Sequence, residues 1–170
     1  MKQQQEILRH TISVIVDNEA GVLARIVGLF SGRGYNIESL TVAEVEAESG
    51  RSRITIVTSG TRMVVEQIKA QLDRVVAVDR VTDLTIDGPF VTRDLALIKV
   101  AGTGEARVEA LRLADVFRAS VVDSTQTSFV FELTGAKDKI DAFIGLMQGL
   151  GLVEVARTGA VAVSRGTEGL

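Results

Sequence analysis

Apolar and polar residues alternate along this chain with two periods, and the switches between them mark its elements. Over residues 11–17 the apolar positions Ile12, Val14 and Val16 recur every second residue, which predicts a half-buried strand. Val22, Leu23, Ile26, Val27 and Phe30 follow at helical spacing, and Gly32 and Gly34 predict the stop. Residues 37–45 read as a second strand, Glu46-Ala47-Glu48-Ser49-Gly50 as a polar hairpin loop, and residues 53–58 as a third strand. Helical spacing returns at Val64, Val65, Ile68 and Leu72, and a fourth strand is expected over residues 75–86. The order is β-α-β-β-α-β.

Asp87-Gly88-Pro89 holds the only proline, and adjacent proline and glycine interrupt structure, so a boundary is expected there. The same order then repeats: strand 95–101, helix 105–118, strands 121–125 and 129–134, and a strand over 153–163. Between the last two, Ile140, Phe143, Ile144, Met147 and Leu150 mark a helix. The fold class is α+β, with two tandem ferredoxin-like βαββαβ domains, residues 8–86 and 93–166, joined by a linker over 87–92. Helices cover one face of each sheet, yet Ile15 points away from Ile12, Val14 and Val16. Roughly 75 residues is small for a self-sufficient core, so a second copy or another protein is expected on the remaining face or on a strand edge. A homodimer is the simplest such arrangement.

Composition narrows the function mainly by exclusion. The 170 residues are 46% hydrophobic but only 4% aromatic, so the core is built of Val, Ile, Leu and Ala. The absence of cysteine removes thiol nucleophiles, disulfides and thiolate metal sites. His10 is the single histidine, too few for a zinc cluster or proton relay, and its place before the first strand suggests an ordinary surface or edge residue. A net charge of −3 argues against nucleic acid, and the scattered Arg51, Arg53, Arg157 and Arg165 form no basic patch. A sheet with one tyrosine and no tryptophan lacks the stacking aromatics of an RNA reader. The start, Met1-Lys2-Gln3-Gln4-Gln5-Glu6, lacks the apolar core of a signal peptide, and no apolar run has transmembrane length. A cytoplasmic protein with no membrane partner is expected. Glu44/Glu46 and Asp138/Asp141 are paired carboxylates beside charged loops, read as surface rather than as acid/base partners.

One junction stands out. Asp17-Asn18-Glu19-Ala20-Gly21-Val22-Leu23 hands a strand over to an amphipathic helix. The free N–H groups and positive dipole end of that first turn favour a carboxylate, and a glycine admits a ligand close to the backbone. Gly34-Tyr35-Asn36-Ile37 lies at the other end of the same helix, so one chain's Asn36 does not meet its own Asn18. If two copies pair side by side around the first helix and second strand, the site forms at their interface. The plain alternative makes Asn18 a cap or turn residue, Gly21 a turn glycine and Gly34 a helix C-cap. In the second half, Gly102-Thr103-Gly104-Glu105 has no asparagine, its Glu105 repels a carboxylate, and it lacks the lysine and further glycines of a phosphate loop. A ligand is therefore expected on the first half only, and no catalytic or metal site is expected anywhere.

The run from Asn18 to Arg25, then Gly28-Leu29-Phe30-Ser31-Gly32-Arg33-Gly34-Tyr35-Asn36-Ile37-Glu38-Ser39-Leu40-Thr41-Val42, resembles the amino-acid-binding ACT domain of the acetohydroxyacid (acetolactate) synthase regulatory-subunit family. Phe117-Arg118-Ala119-Ser120-Val121-Val122-Asp123 and Glu154-Val155-Ala156-Arg157-Thr158-Gly159 carry the resemblance through to about residue 166. The resemblance implies a non-catalytic partner of a catalytic large subunit that makes precursors of valine, leucine and isoleucine. In that family the small subunit raises activity and confers inhibition by valine. Thiamine diphosphate, Mg²⁺ and FAD are implied for the large subunit, and no cofactor for this chain. Asn18, Ala20, Gly21, Val22 and Leu23 match the effector-binding positions, with Asn36 and Ile37 of the dimer partner completing the site. The loop over 45–52 is assigned nothing. A free-standing ACT-type sensor of another enzyme or a transcription factor is the alternative.

Overall fold

The computed structural model describes residues 6–46, 48 and 50–169. The opening pentapeptide, parts of the loop expected at 46–50, and the Glu46 side chain of the Glu44/Glu46 pair lie outside the described residues. The elements are β1 (Leu8–Asp17), α1 (Val22–Gly32), β2 (Ser39–Glu46), β3 (Arg51–Gly60), α2 (Arg62–Leu72) and β4 (Val78–Asp83). They continue as β5 (Phe90–Ala101), α3 (Gly104–Phe117), β6 (Ser120–Ser124), β7 (Ser128–Gly135), α4 (Lys137–Gln148), β8 (Leu152–Arg157) and β9 (Val161–Ser164). The sheets run β2-β3-β1-β4 and β6-β7-β5-β8, all by antiparallel pairing, and β9 also pairs β5. Two βαββαβ units result, the ferredoxin-like order expected.

The chain divides into one unit running to Val91 together with the stretch from Ala160, and a second spanning Thr92–Gly159. In the first unit, Ile12, Val14 and Val16 of β1 and Ile54 and Ile56 of β3 pack under Ile26 and Phe30 of α1 and Ile68 and Leu72 of α2. Alternation puts these strand residues on one face, while i, i+4 spacing lines up the helix residues. The second unit repeats the plan around Ile98, Phe131, Leu133, Ile140 and Phe143, with Phe131 and Phe143 edge-on at 5.9 Å between centroids. Thr11, Ser13, Ile15, Thr55 and Val57, on the face of the first sheet away from its helices, are buried as well.

Several expectations are corrected. His10 is not a surface residue: it lies within β1, 2% exposed, with Nδ1 2.7 Å from Oδ2 of the fully buried Asp83. It falls in phase with Ile12, Val14 and Val16 and so shares their inward direction. Asp83 Oδ1 also accepts the Thr85 N–H at 3.0 Å, while Asp87 Oδ2 accepts the Asp83 N–H at 3.1 Å. The pair thereby ties β1 to the turn after β4. The fourth strand is shorter than 75–86, because residues 73–77 form a turn in which Val76 is 96% exposed. The last strand is two, β8 and β9, because residues 158–160 belong to no strand. β5 starts at Phe90, inside the stretch expected to be linker.

Candidate functional site

At the β1–α1 junction, the Asp17 N–H donates to the Ala77 C=O at 2.9 Å and the Asn18 N–H to the Gly50 C=O at 2.7 Å. These two bonds fix the end of β1 against neighbouring turns. Gly21 then adopts φ +86° and ψ −4°, a left-handed conformation that glycine takes without a Cβ penalty. The first bond of the helical ladder runs from the Arg25 N–H to the Gly21 C=O at 3.0 Å, leaving the Leu23 and Ala24 N–H groups at the open end of α1. A Cβ built on Gly21 meets no atom within 4 Å, so the space in front of the helix start is open.

The four helix starts are not equivalent. The Thr61 hydroxyl caps α2 by accepting the Val64 N–H, while α3 and α4 carry Glu105 and Asp138 in their first turns. Among the described residues, α1 alone has neither a capping side chain nor an acidic residue there. Its positive end therefore faces solvent without a balancing anion from its own first turn.

The predicted residues form two groups. Asn18, Ala20, Gly21 and Leu23 are exposed together at the start of α1, whereas the Val22 side chain is 3% exposed in the core and offers only its backbone. Asn36 and Ile37 lie past the other end of this 11-residue helix, about 16 Å away. There Gly34 turns the chain at φ +69° and the Tyr35 N–H donates to the Phe30 C=O at 3.0 Å. Asn36 is exposed, and Ile37 packs partly buried against the first core. One chain thus does not bring the two groups together, as the sequence suggested. Leu23 and Val27 on α1, and Val42 on the edge strand β2, remain 41%, 36% and 41% exposed.

Sequence reasoning missed the residue that anchors the Asn36 segment. The Thr58 hydroxyl, in a residue 1% exposed, donates to the Asn36 C=O at 2.6 Å. A signal was available: Thr58 continues the inward alternation of Ile54 and Ile56, where a hydroxyl needs a partner. Elsewhere, Asp141 is a surface residue but not an unperturbed one. Its carboxylate accepts from Lys137 Nζ and Arg157 Nη1, each at 2.6 Å, and hydrogen bonding first to Lys137 and then to Arg157 holds its pKa below the ordinary aspartate value.

The first βαββαβ unit is an ACT domain: a sequence profile described as an AHAS small subunit-like ACT domain matches residues 12–80. The profile described as the small subunit of acetolactate synthase matches residues 93–166. A probable acetolactate synthase small subunit of Archaeoglobus fulgidus is 47% identical over 161 residues, covering 95% of this chain and 99% of its own. The acetolactate synthase small subunit of Aquifex aeolicus is 48% identical over 161 residues, covering 94% and 83% respectively. The crystal structure of the Thermotoga maritima acetolactate synthase small subunit superposes with a TM-score of 0.86 at 37% identity, covering 95% of this chain and 99% of that one. The chain belongs to the acetolactate synthase small-subunit family, and with it to the regulatory partners of that enzyme's catalytic large subunit.

Proposed function

We propose that this protein raises the activity of the acetolactate synthase catalytic subunit and makes it sensitive to valine. The amino acid is held between two copies of the first unit. Its carboxylate lies against the start of α1, contacted by Asn18, Ala20, Gly21 and the Val22 and Leu23 backbone, and Asn36 and Ile37 of the second copy complete the site. The observation that carries this reading is the start of α1, open, without a capping side chain and with no acidic residue in its first turn. The exposed Leu23, Val27 and Val42 support pairing along α1 and β2. Thiamine diphosphate, Mg²⁺ and FAD act on the large subunit, this chain has no active site of its own, and the assembly works in the cytoplasm.

Anion capture at a helix start contributes on the order of 0.3–2 kcal/mol, and one methylene discriminates by roughly 1–3 kcal/mol. Valine, isoleucine and leucine therefore differ in affinity without being fully separated. Inhibition further requires that valine bind one of two holoenzyme states more tightly, since equal binding shifts nothing. The test is acetolactate formation by the large subunit, with and without this chain, across a valine titration, alongside sedimentation of this chain with valine. Activation plus valine inhibition only in the complex, and a dimer strengthened by valine, are expected. Binding of valine without any effect on the large subunit would point instead to a free-standing sensor.

A further inference from the structure

The segment carrying Asn36 is held by its backbone and left free at its side chain. The Tyr35 N–H bonds to the end of α1, the Asn36 C=O accepts the Thr58 hydroxyl, and the Glu38 N–H donates to the Val57 C=O at 2.8 Å. On the outside, the Glu38 carboxylate accepts Arg9 Nε at 2.9 Å and the Ser59 hydroxyl. Of these ties only the one at Asn36 itself is made by a buried side chain on the central strand β3. A buried hydroxyl on the core side of a strand is unfavourable unless bonded, and valine would fill the same space. The threonine therefore does something packing alone does not require: it fixes one carbonyl.

We infer that Thr58 is a positioning residue of the effector site, setting through the Asn36 carbonyl where the Asn36 amide is presented to the amino acid. This rests on the two-copy site proposed above. With its carbonyl tied inward, the Asn36 backbone cannot swing without breaking a buried bond, and the exposed amide is pre-oriented before ligand arrives. Removing the tie leaves the fold but charges the ligand-bound state with ordering the segment.

The experiment is valine calorimetry on the full-length dimer for Thr58→Val, Thr58→Ser, Asn36→Ala and the Asn36→Ala/Thr58→Val double variant. Thermal melts and sedimentation accompany each. Loss of one net hydrogen bond corresponds to about 3- to 10-fold weaker binding in Thr58→Val. Thr58→Ser, which keeps the hydroxyl, should bind within about twofold of wild type, and the double variant should be no weaker than Asn36→Ala alone. That non-additivity separates positioning through Asn36 from a general loss of stability. Unchanged affinity in Thr58→Val with weakened Asn36→Ala, or additive effects, would overturn the inference while leaving the site intact. Unchanged affinity in Asn36→Ala would instead remove the two-copy site, and this inference with it. Should Thr58→Val fail to fold, Thr58→Ala removes the same hydroxyl, and wild-type affinity there would overturn the inference equally.

Discussion

Gly21→Asp is the most direct test of the site, because strain, fold and charge can be separated at this position. At φ +86° any side chain is strained by roughly 1–2 kcal/mol. No neighbouring atom lies within 4 Å of the new Cβ, so no clash adds to that strain. A carboxylate at a helix start returns about 0.3–1 kcal/mol through the dipole. The fold should therefore survive, with a modest loss of melting temperature shared by Gly21→Ala. Binding is another matter. Two carboxylates about 4 Å apart repel by about 1 kcal/mol in bulk water and about 4 kcal/mol at the effective dielectric of a protein surface. The predicted loss of valine affinity thus runs from about fivefold to about a thousandfold, rising as the second copy closes over the site. Calorimetry of wild type, Gly21→Ala and Gly21→Asp, each checked by thermal melt, provides the measurement. If the aspartate variant binds valine as wild type does, the carboxylate is not held at this helix start. If alanine weakens binding as much as aspartate, backbone geometry rather than charge is responsible.

Three further outcomes concern the scaffold. Asp83→Ala leaves the buried His10 Nδ1 without its hydrogen-bond partner and frees the turn after β4, so urea unfolding should show a loss of about 1–3 kcal/mol; a loss below about 0.5 kcal/mol would contradict the role given to the pair. Gly151→Ala combines φ +95° with a Cβ 2.0 Å from the Ala101 carbonyl oxygen, whereas Gly149→Ala places a Cβ no closer than 3.9 Å to any atom. The first should destabilise by about 2 kcal/mol or more and the second should be neutral or mildly stabilising in the same denaturation assay. Asp141 titrates below its ordinary range in the folded protein, so its contribution is present above about pH 4 and is lost as pH falls through the lowered value. The difference in melting temperature between wild type and Asp141→Asn should accordingly hold steady from neutral pH to about pH 5 and close in more acidic buffer.

Periodicity made the architecture legible, because alternation and helical spacing report which face is buried. Ile12, Val14 and Val16 did so for β1, and Ile140, Phe143 and Met147 for α4. It misled where apolar residues stand outside any element: Val75 and Val76 extend the fourth strand on paper, yet Val76 is almost wholly exposed. It was also read too narrowly. His10 and Thr58 sit in phase with buried neighbours, and a polar residue at such a position signals a buried partner, here Asp83 and the Asn36 carbonyl. Those partners lie 73 and 22 residues away, a distance that no local pattern encodes. The left-handed backbone of Gly21 was equally out of reach, since a turn glycine and a ligand-approach glycine look the same in sequence.

The two units share a fold but differ at the start of their first helices. Both units place a glycine next to a helix start, Gly21 before α1 and Gly104 opening α3, each with positive φ. In the second, Glu105 follows at once and occupies the favourable end of the dipole with the protein's own carboxylate. In the first, no acidic residue stands in that turn, and the proposed effector carboxylate takes the place. Yet a helix start supplies at most about 2 kcal/mol, while even millimolar affinity needs about 4 kcal/mol. The remainder has to come from groups beyond the β1–α1 junction, and within one chain Asn36 and Ile37 are held a helix length away from it. In the proposed two-copy site, weak capture at one end and a tethered amide at the other add up only when two copies meet, so that valine binding should weaken as the chain is diluted below its dimerisation range.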